Sequence, residues 1–187
     1  MIVPAAYFYT LQWLTLRRYA GGCSDLTIGT TYSNRPDARF DSMIGPTIDV
    51  PALRVDLSGS PTVPALLARV KQVVAEALTR QDVPGGMVDA RASKGPLFRA
   101  VFSLFPDTAD GKLTLPGIEV SYLEESISTV SRPDAYLIMW EKQTAEGPAL
   151  GGYWLHKKDA FAAETAEEMS REFASIVDRM AAREELV

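Results

Sequence analysis

The sequence predicts an α/β (α+β) sandwich in which a mixed β-sheet packs against long helices. Two stretches carry apolar residues at three- and four-residue steps, which is typical of helices that lie against a sheet. Several short apolar runs have the length of strands. These runs do not alternate strictly with the helices, which indicates a sheet with both parallel and antiparallel pairs.

Three helices are predicted. The first, Pro4–Tyr19, is apolar on nearly all sides, which indicates burial, and two arginines and two glycines close it. The second follows Thr62, a suitable N-cap residue, and carries its apolar stripe from Val63 to Ala77. The third covers about residues 163–182, with one apolar and one charged face.

Strand-like runs fill the rest of the chain, and turn-forming residues separate them. We predict a turn at Glu141–Pro148 because this segment is polar. The predicted strands are Asp25–Thr31, Ala52–Leu57, Leu97–Phe105, Ile118–Leu123, Ala135–Trp140 and Leu150–His156.

Length and charge limit the function classes. We treat residues 1–187 as a single domain, since a chain of this size buries about 70% of its unfolded surface. A net charge of -5 argues against nucleic acid as a partner, because phosphate binding needs a clustered basic excess. The single cysteine, Cys23, excludes an internal disulfide; we expect it to be a small buried residue in a cytoplasmic protein.

Neither a membrane nor a metal partner is expected. The apolar run Ile2–Leu16 is shorter than the ~20 residues that span a bilayer, and it contains Gln12. Ala20–Cys23 faintly resembles a lipoprotein cleavage site, but the arginines lie on the wrong side of the apolar run. No clustered histidines or cysteines suggest a metal site.

Two segments carry a family resemblance. Gly29–Arg35 is a glycine and a short strand leading into Asn-Arg, and Ile44–Arg54 follows the pattern Ile-Gly-x-Phe-Val-Asn-Thr-x-x-x-Arg at its ends. These segments resemble the C-terminal half of a condensation domain from nonribosomal peptide synthetases. The middle of the second pattern differs, with Thr47 for Phe, Asp49 for Asn and Val50 for Thr.

The similarity extends along most of the chain. Gln81–Pro84 looks like the family motif His-Gln-Asp-x-Pro-Phe-Glu, with Arg80 in place of the His and Gly85-Gly86 in place of the Phe-Glu. Four further segments resemble family segments in the family order: Gly95–Phe98, Leu115–Val120, Asp134–Glu141 and Tyr153–Phe161.

The resemblance implies one of two chloramphenicol-acetyltransferase-like lobes. In the family the catalytic His-His-x-x-x-Asp-Gly motif lies in the N-terminal lobe, whereas this chain has one histidine, His156. We therefore expect a C-terminal lobe that is not catalytic alone. Its implied partners are an N-terminal lobe and peptidyl carrier proteins, whose phosphopantetheine arms bring the substrates, and no cofactor is bound directly. The alternative is a degenerate binding module that recruits carrier proteins or tailoring enzymes.

Four residues are candidates for the lobe interface or tunnel. Arg35 is suited to a bidentate pair with a carboxylate of the neighbouring lobe; the alternative is a turn arginine facing water. Asp49 takes the place of a family Asn that faces the channel, or is a solvated carboxylate at a strand edge. Gln81 and Asp82 are expected to brace the turn at Pro84.

Overall fold

The computed structural model describes residues 10, 12, 15–35, 37–59, 61–80, 83, 95–105, 115–119, 133–144 and 147–181. Within this part, five strands form one sheet, two long helices pack against it, and a short 3-10 turn covers Ala38–Phe40. The strands are β1 (Asp25–Thr30), β2 (Ala52–Asp56), β3 (Ala100–Phe105), β4 (Ala135–Thr144) and β5 (Gly147–His156); the helices are α1 (Val63–Leu78) and α2 (Ala163–Ala181).

The sheet is mixed, which confirms the predicted fold class. Its strand order is β2-β1-β3-β4-β5. The central strands β1, β3 and β4 run parallel, while β2 and β5 lie antiparallel at the two ends of the order. The carboxyl ends of the three parallel strands therefore meet at one edge of the sheet.

The core lies between one face of the sheet and the helices. Alternate strand residues point to this face because the side-chain period of a strand is two. From β1 to β4 it carries Ile28, Leu53, Val55, Phe102, Leu137 and Met139, all less than 9% exposed. Leu66, Val70 and Val74 of α1 and Met169, Phe173 and Ile176 of α2 complete the cluster. Each such side chain contributes about 1.5–3 kcal/mol on burial.

The beginning of the described chain is helical and belongs to the same layer. Residues 15–19 are helical, and Leu16 and Tyr19 pack against the core cluster. Arg18 forms an ion pair with Glu172 of α2 at 3.0 Å. The buried amide of Gln12 donates to the carbonyl of Val101 at 3.0 Å. Of the described residues of the predicted first helix, Thr10, Gln12 and Thr15 are buried, whereas Leu16 and Tyr19 are half-buried and Arg18 is exposed.

Two local predictions were wrong. The predicted turn at residues 141–148 is mostly strand: β4 continues to Thr144 and β5 begins at Gly147, in ten cross-strand pairs. Polar side chains do not prevent this, since hairpin pairing uses backbone groups. Cys23 is exposed, with its Sγ 3.3 Å from the Asp25 carbonyl oxygen. Thr62 does occupy the predicted N-cap position of α1, although its side chain makes no capping hydrogen bond.

Two predicted strands differ in extent. The third strand begins at Ala100, three residues later than predicted. Of the predicted strand at residues 118–123, only 118 and 119 are described, and Ile118 forms an isolated bridge with Leu115. The remaining residues of that strand lie outside the described part of the chain.

Candidate functional site

The face of the sheet opposite α1 and α2, called here the second face, carries a row of hydroxyl groups. Ser103 in β3 is 1% exposed, and its Oγ is hydrogen-bonded to the hydroxyls of Thr31 and Tyr136, the latter at 2.9 Å. Each of these residues follows or belongs to a different parallel strand. The row links polar groups across the three parallel strands, from Thr31 just after β1 to Tyr136 near the start of β4.

Aromatic rings lie on the same face beside glycines. The rings of Trp140 and Tyr153 meet edge to face, with centroids 5.7 Å apart. A Cβ built on Gly151 would lie 2.7 Å from the Trp140 indole, and one built on Gly29 would lie 2.5 Å from the Phe98 ring. A larger residue at either position would require the neighbouring ring to shift. The second face therefore presents half-buried aromatic surface next to the hydroxyl row.

A loop of residues 37–48, called here the Arg35 loop, follows the carboxyl end of β1. The Arg35 guanidinium donates hydrogen bonds to the backbone carbonyls of Phe40, Met43 (3.0 Å) and Gly45 (3.4 Å). Asn34 precedes it with φ 46°, a conformation that Asn tolerates better than most residues. The guanidinium fork thus binds its own loop.

The substituted motif residues also bind local backbone. Thr47 Oγ1 donates to the Ser33 carbonyl at 2.6 Å. Asp49 Oδ1 accepts from the Val50 amide at 2.8 Å, and Asp49 pairs with Tyr32 through an isolated antiparallel bridge. Asp49 therefore lies at a strand extension beyond the β1–β2 pair and is partly buried, and its role at the channel stays a prediction.

Ion pairs mark the opposite, amino edge of the parallel strands. Asp25 pairs with Arg54 across β1 and β2, and this side-chain hydrogen bond lowers the pKa of Asp25 below its usual value. Asp134 pairs with Arg99 and with Lys157 (3.2 Å), and its side chain is 14% exposed. These contacts join residues in or next to all five described strands.

A cavity of about 660 Å³ opens at this amino edge. Apolar side chains such as Leu26, Phe98 and Phe161 form much of its wall. The ion-paired Asp25 and Asp134 also line it. The cavity lies at the other end of β1 and β3 from the Arg35 loop.

The remaining sequence candidates are not brought together. Gln81 and Asp82 lie outside the described residues, so their role as a brace stays a prediction. His156 is half-buried at the end of β5, opposite Ala135. No described hydroxyl or carboxylate is hydrogen-bonded to His156, so the described residues assemble no acid–base pair around it.

The described residues were also compared with the requirements of a metal site and of a membrane-spanning helix. These residues contain no group of three or more His, Cys, Asp or Glu side chains arranged to hold a metal ion. None of the described helices combines the length and apolarity needed to cross a bilayer.

The hydroxyl row was missed by sequence reasoning. Its signal was a serine inside the apolar run AVFSLF of β3. Ser103 alternates with the core residues of β3 and so faces the second face. Its hydrogen-bond partners can be recognised only when the neighbouring strands are known. Thr31 and Tyr136 lie 72 and 33 residues away from Ser103.

The described residues define an α/β protein, with long helices against one face of a mixed sheet and hydroxyl and aromatic side chains on the other. The sequence profile described as "Condensation domain" matches residues 6–185. The chain therefore belongs to the condensation-domain family.

Related proteins agree with this assignment. Malpinin synthetase of Mortierella alpina is 32% identical over 141 residues, covering 72% of this chain and 2% of that protein. The dimodular nonribosomal peptide synthase of Bacillus subtilis (strain 168) is 31% identical over 158 residues, covering 80% of this chain and 7% of that protein. The chain thus spans a small part of these relatives.

Solved structures share the fold. The condensation domain of the Monacolin K polyketide synthase MokA matches with a TM-score of 0.75 at 19% identity, covering 98% of this chain and 43% of that one. The X-domain in complex with OxyB from teicoplanin biosynthesis matches with a TM-score of 0.78 at 23% identity, covering 97% and 41%. Each likeness establishes the fold of this chain.

Proposed function

We propose that the chain forms the C-terminal lobe of a condensation domain in nonribosomal peptide synthesis. It contributes tunnel wall and carrier-protein docking surface for amide-bond formation between a carrier-bound donor and a carrier-bound acceptor. Its partners are an N-terminal lobe and the phosphopantetheine arms of the carriers. The proton-handling group belongs to the other lobe, since the chain contains a single histidine and lacks the His-His-x-x-x-Asp-Gly motif.

One observation carries this proposal: the second face of the sheet. On this face the Thr31 and Tyr136 hydroxyls, which are joined through the buried Ser103, and the Trp140–Tyr153 pair are half-buried, and these are the groups proposed to line a passage. Hydroxyls hydrogen-bond amide and carbonyl groups, and aromatic rings pack against alkyl segments. A phosphopantetheine arm combines both kinds of group.

The proposed role separates this lobe from the chemistry. In the reaction the acceptor amine attacks the donor thioester carbonyl, and a general base and hydrogen-bond donors lower the barrier. The second face offers binding and orientation, which raise the rate by holding the reacting atoms close. Its contribution is therefore positional.

A second candidate function is a recruitment module without peptide-bond formation. Thr47 and Asp49, which replace a Phe and an Asn of the family pattern, both bind local backbone. The structural neighbour from teicoplanin biosynthesis is described as an X-domain in complex with OxyB. A module of this kind binds carrier proteins or tailoring enzymes through the same lobe and needs no complete tunnel.

A reconstitution assay tests the first function. The chain is mixed with donor-loaded and acceptor-loaded carrier proteins, with and without a polypeptide that supplies the N-terminal lobe of a related condensation domain, and product is measured by mass spectrometry. We expect product only when both lobes are present. Product from the chain alone contradicts the proposal that the proton-handling group belongs to the other lobe.

A variant pair connects the assay to the second face. Tyr136→Phe removes one hydroxyl of the row, and we expect a slower reaction. Tyr19→Phe removes a hydroxyl from the helix layer and serves as the matched control, with an unchanged rate. No product with both lobes, together with tight binding of a carrier or a tailoring enzyme in a titration, favours the recruitment module.

A further inference from the structure

The Arg35 loop is held in one shape by many internal contacts. Arg35 joins three backbone carbonyls that are spread over six residues, Phe40 to Gly45. The 3-10 turn at Ala38–Phe40 is capped by the Asp37 carboxylate, which accepts from the Arg39 amide at 2.9 Å. The Met43 amide donates to the Phe40 carbonyl at 3.1 Å.

The strand bridge fixes both ends of the loop. Tyr32 and Asp49 exchange two backbone hydrogen bonds of 3.2 Å, and Thr47 is bonded to Ser33 at 2.6 Å. A loop tied in this way has lost its conformational freedom before any partner arrives. Binding through such a loop loses less entropy than binding through a disordered one.

This ordered loop displays apolar side chains to solvent. Ile44 is fully exposed, Ile48 is 65% exposed and Met43 is 45% exposed. Three large apolar side chains within six residues are unusual for a loop, where polar residues dominate. An exposed apolar cluster on a rigid support marks a surface that another protein covers.

We infer that Met43, Ile44 and Ile48 on the Arg35 loop form the docking surface for the N-terminal lobe of the condensation domain. This inference rests on the proposed function and adds to it the contact point and the kind of contact. Arg35 acts as a positioning residue, because its guanidinium binds the loop backbone. The lobe contact is apolar, in place of the predicted ion pair.

The identity of the occupant follows from coverage and position. The chain corresponds to 41–43% of the solved X-domain and condensation-domain chains, so more than half of such a domain lies outside it. The loop follows β1 at the carboxyl edge of the sheet, where β3 ends at Phe105, itself 47% exposed. Thr31, one end of the hydroxyl row, lies at the same edge, directly after β1. A lobe seated on the loop would therefore face the proposed tunnel wall.

The test measures binding of the chain to a polypeptide that supplies the N-terminal lobe of a related condensation domain. Dissociation constants are measured by isothermal titration calorimetry. Ile44 is fully exposed in the free chain and would be buried in the complex. We therefore expect Ile44→Ser, which removes this apolar burial, to raise the dissociation constant about tenfold or more. Leu78→Ser is the matched control: Leu78 is 38% exposed at the end of α1 in the helix layer, and we expect an unchanged constant.

A second variant tests the positioning role of Arg35. Lysine keeps the charge but has no planar fork to bind three carbonyls at once. We expect Arg35→Lys to weaken binding several-fold and to speed amide hydrogen exchange within residues 37–48, with no change in exchange in the core strands. Unchanged exchange in the loop contradicts the role assigned to Arg35.

The outcomes separate the inference from the proposed function. If wild type binds the lobe and Ile44→Ser binds within twofold of it, the docking surface is wrong and the proposed function stands. If wild type binds no lobe, both fail. A third outcome also overturns the inference: the chain binds no lobe, but Ile44→Ser weakens carrier-protein binding or self-association in analytical ultracentrifugation. The patch then has another occupant.

Discussion

Two neighbouring glycines in β5 are predicted to respond differently to the same substitution. A Cβ built on Gly152 would lie 2.7 Å from the backbone carbonyl oxygen of Ile138 and 3.0 Å from Met139 Cγ. A Cβ built on Gly151 would lie 2.7 Å from the indole of Trp140. In Gly152→Ala a strand backbone must move, whereas in Gly151→Ala a side chain can move.

The magnitudes follow from these contacts. Ordinary contact begins at about 3.4 Å, so the β4 and β5 backbones must separate by about 0.7 Å in Gly152→Ala, and overpacking of this kind costs about 1–3 kcal/mol. Replacing glycine by alanine also reduces the conformational entropy of the unfolded chain, which stabilises the folded state by about 0.4–1 kcal/mol. We expect a net loss of about 1–2 kcal/mol for Gly152→Ala. An off-rotamer indole costs about 0.5–1.5 kcal/mol, so Gly151→Ala should be near neutral.

The free energy of unfolding is measured by urea denaturation at 25 °C, with far-UV circular dichroism as the signal. An unchanged m-value shows that a shift in midpoint reports stability. Trp140→Leu supplies the control background, because it removes the indole that Gly151→Ala displaces. In this background Gly151→Ala should lose the cost of moving the indole, and the cost of Gly152→Ala should be unchanged. A Gly152→Ala variant as stable as wild type, or less affected than Gly151→Ala, would refute the reasoning.

Two further predictions concern the second face and the amino edge of the sheet. Ser103→Ala leaves the Thr31 and Tyr136 hydroxyls without their shared partner, Ser103, which is 1% exposed. We expect the free energy of unfolding to fall by about 1–3 kcal/mol in the same denaturation assay. Tyr136 is half-buried, so Tyr136→Phe should lower it by less. The Asp25–Arg54 pair lowers the pKa of Asp25 in the folded state, so its contribution is complete above the unfolded pKa of about 3.9 and is lost as pH falls through the folded value. Arg54→Gln should therefore destabilise the protein at pH 6 and lose that effect at the acid end of a titration from pH 6 to 2; an equal effect at both ends would contradict the assignment.

The sequence was sufficient for the elements whose local pattern and tertiary role agree. The strand predicted at Ala52–Leu57 is observed as β2, where apolar Leu53 and Val55 are buried and Arg54 between them is exposed. The stripe of α1 predicted its buried residues Leu66, Val70 and Val74, among others. An element with one buried face has a regular pattern of apolar and polar residues in its sequence, because its solvent side is polar.

The parts that sequence reasoning missed depend on long-range contacts. The hydroxyl row needs three strands in register, and no pattern within one strand reveals it. Arg35 stands out in the sequence, but its partners are carbonyls five to ten residues ahead, in a loop without periodicity. The β4–β5 hairpin has a polar tip that is typical of a turn, while its pairing depends on backbone groups that every residue carries.

The burial pattern of the sheet has a consequence for how such a protein changes over time. Folding constrains the core face and also the buried Val101 and Ser103, so tolerance to mutation should be confined to exposed strand positions. In β3, for example, randomising Phe102 tests folding, whereas randomising Phe105 tests what the exposed edge recognises. Selection on recognition can then alter the exposed end of a strand while folding constrains the residues before it.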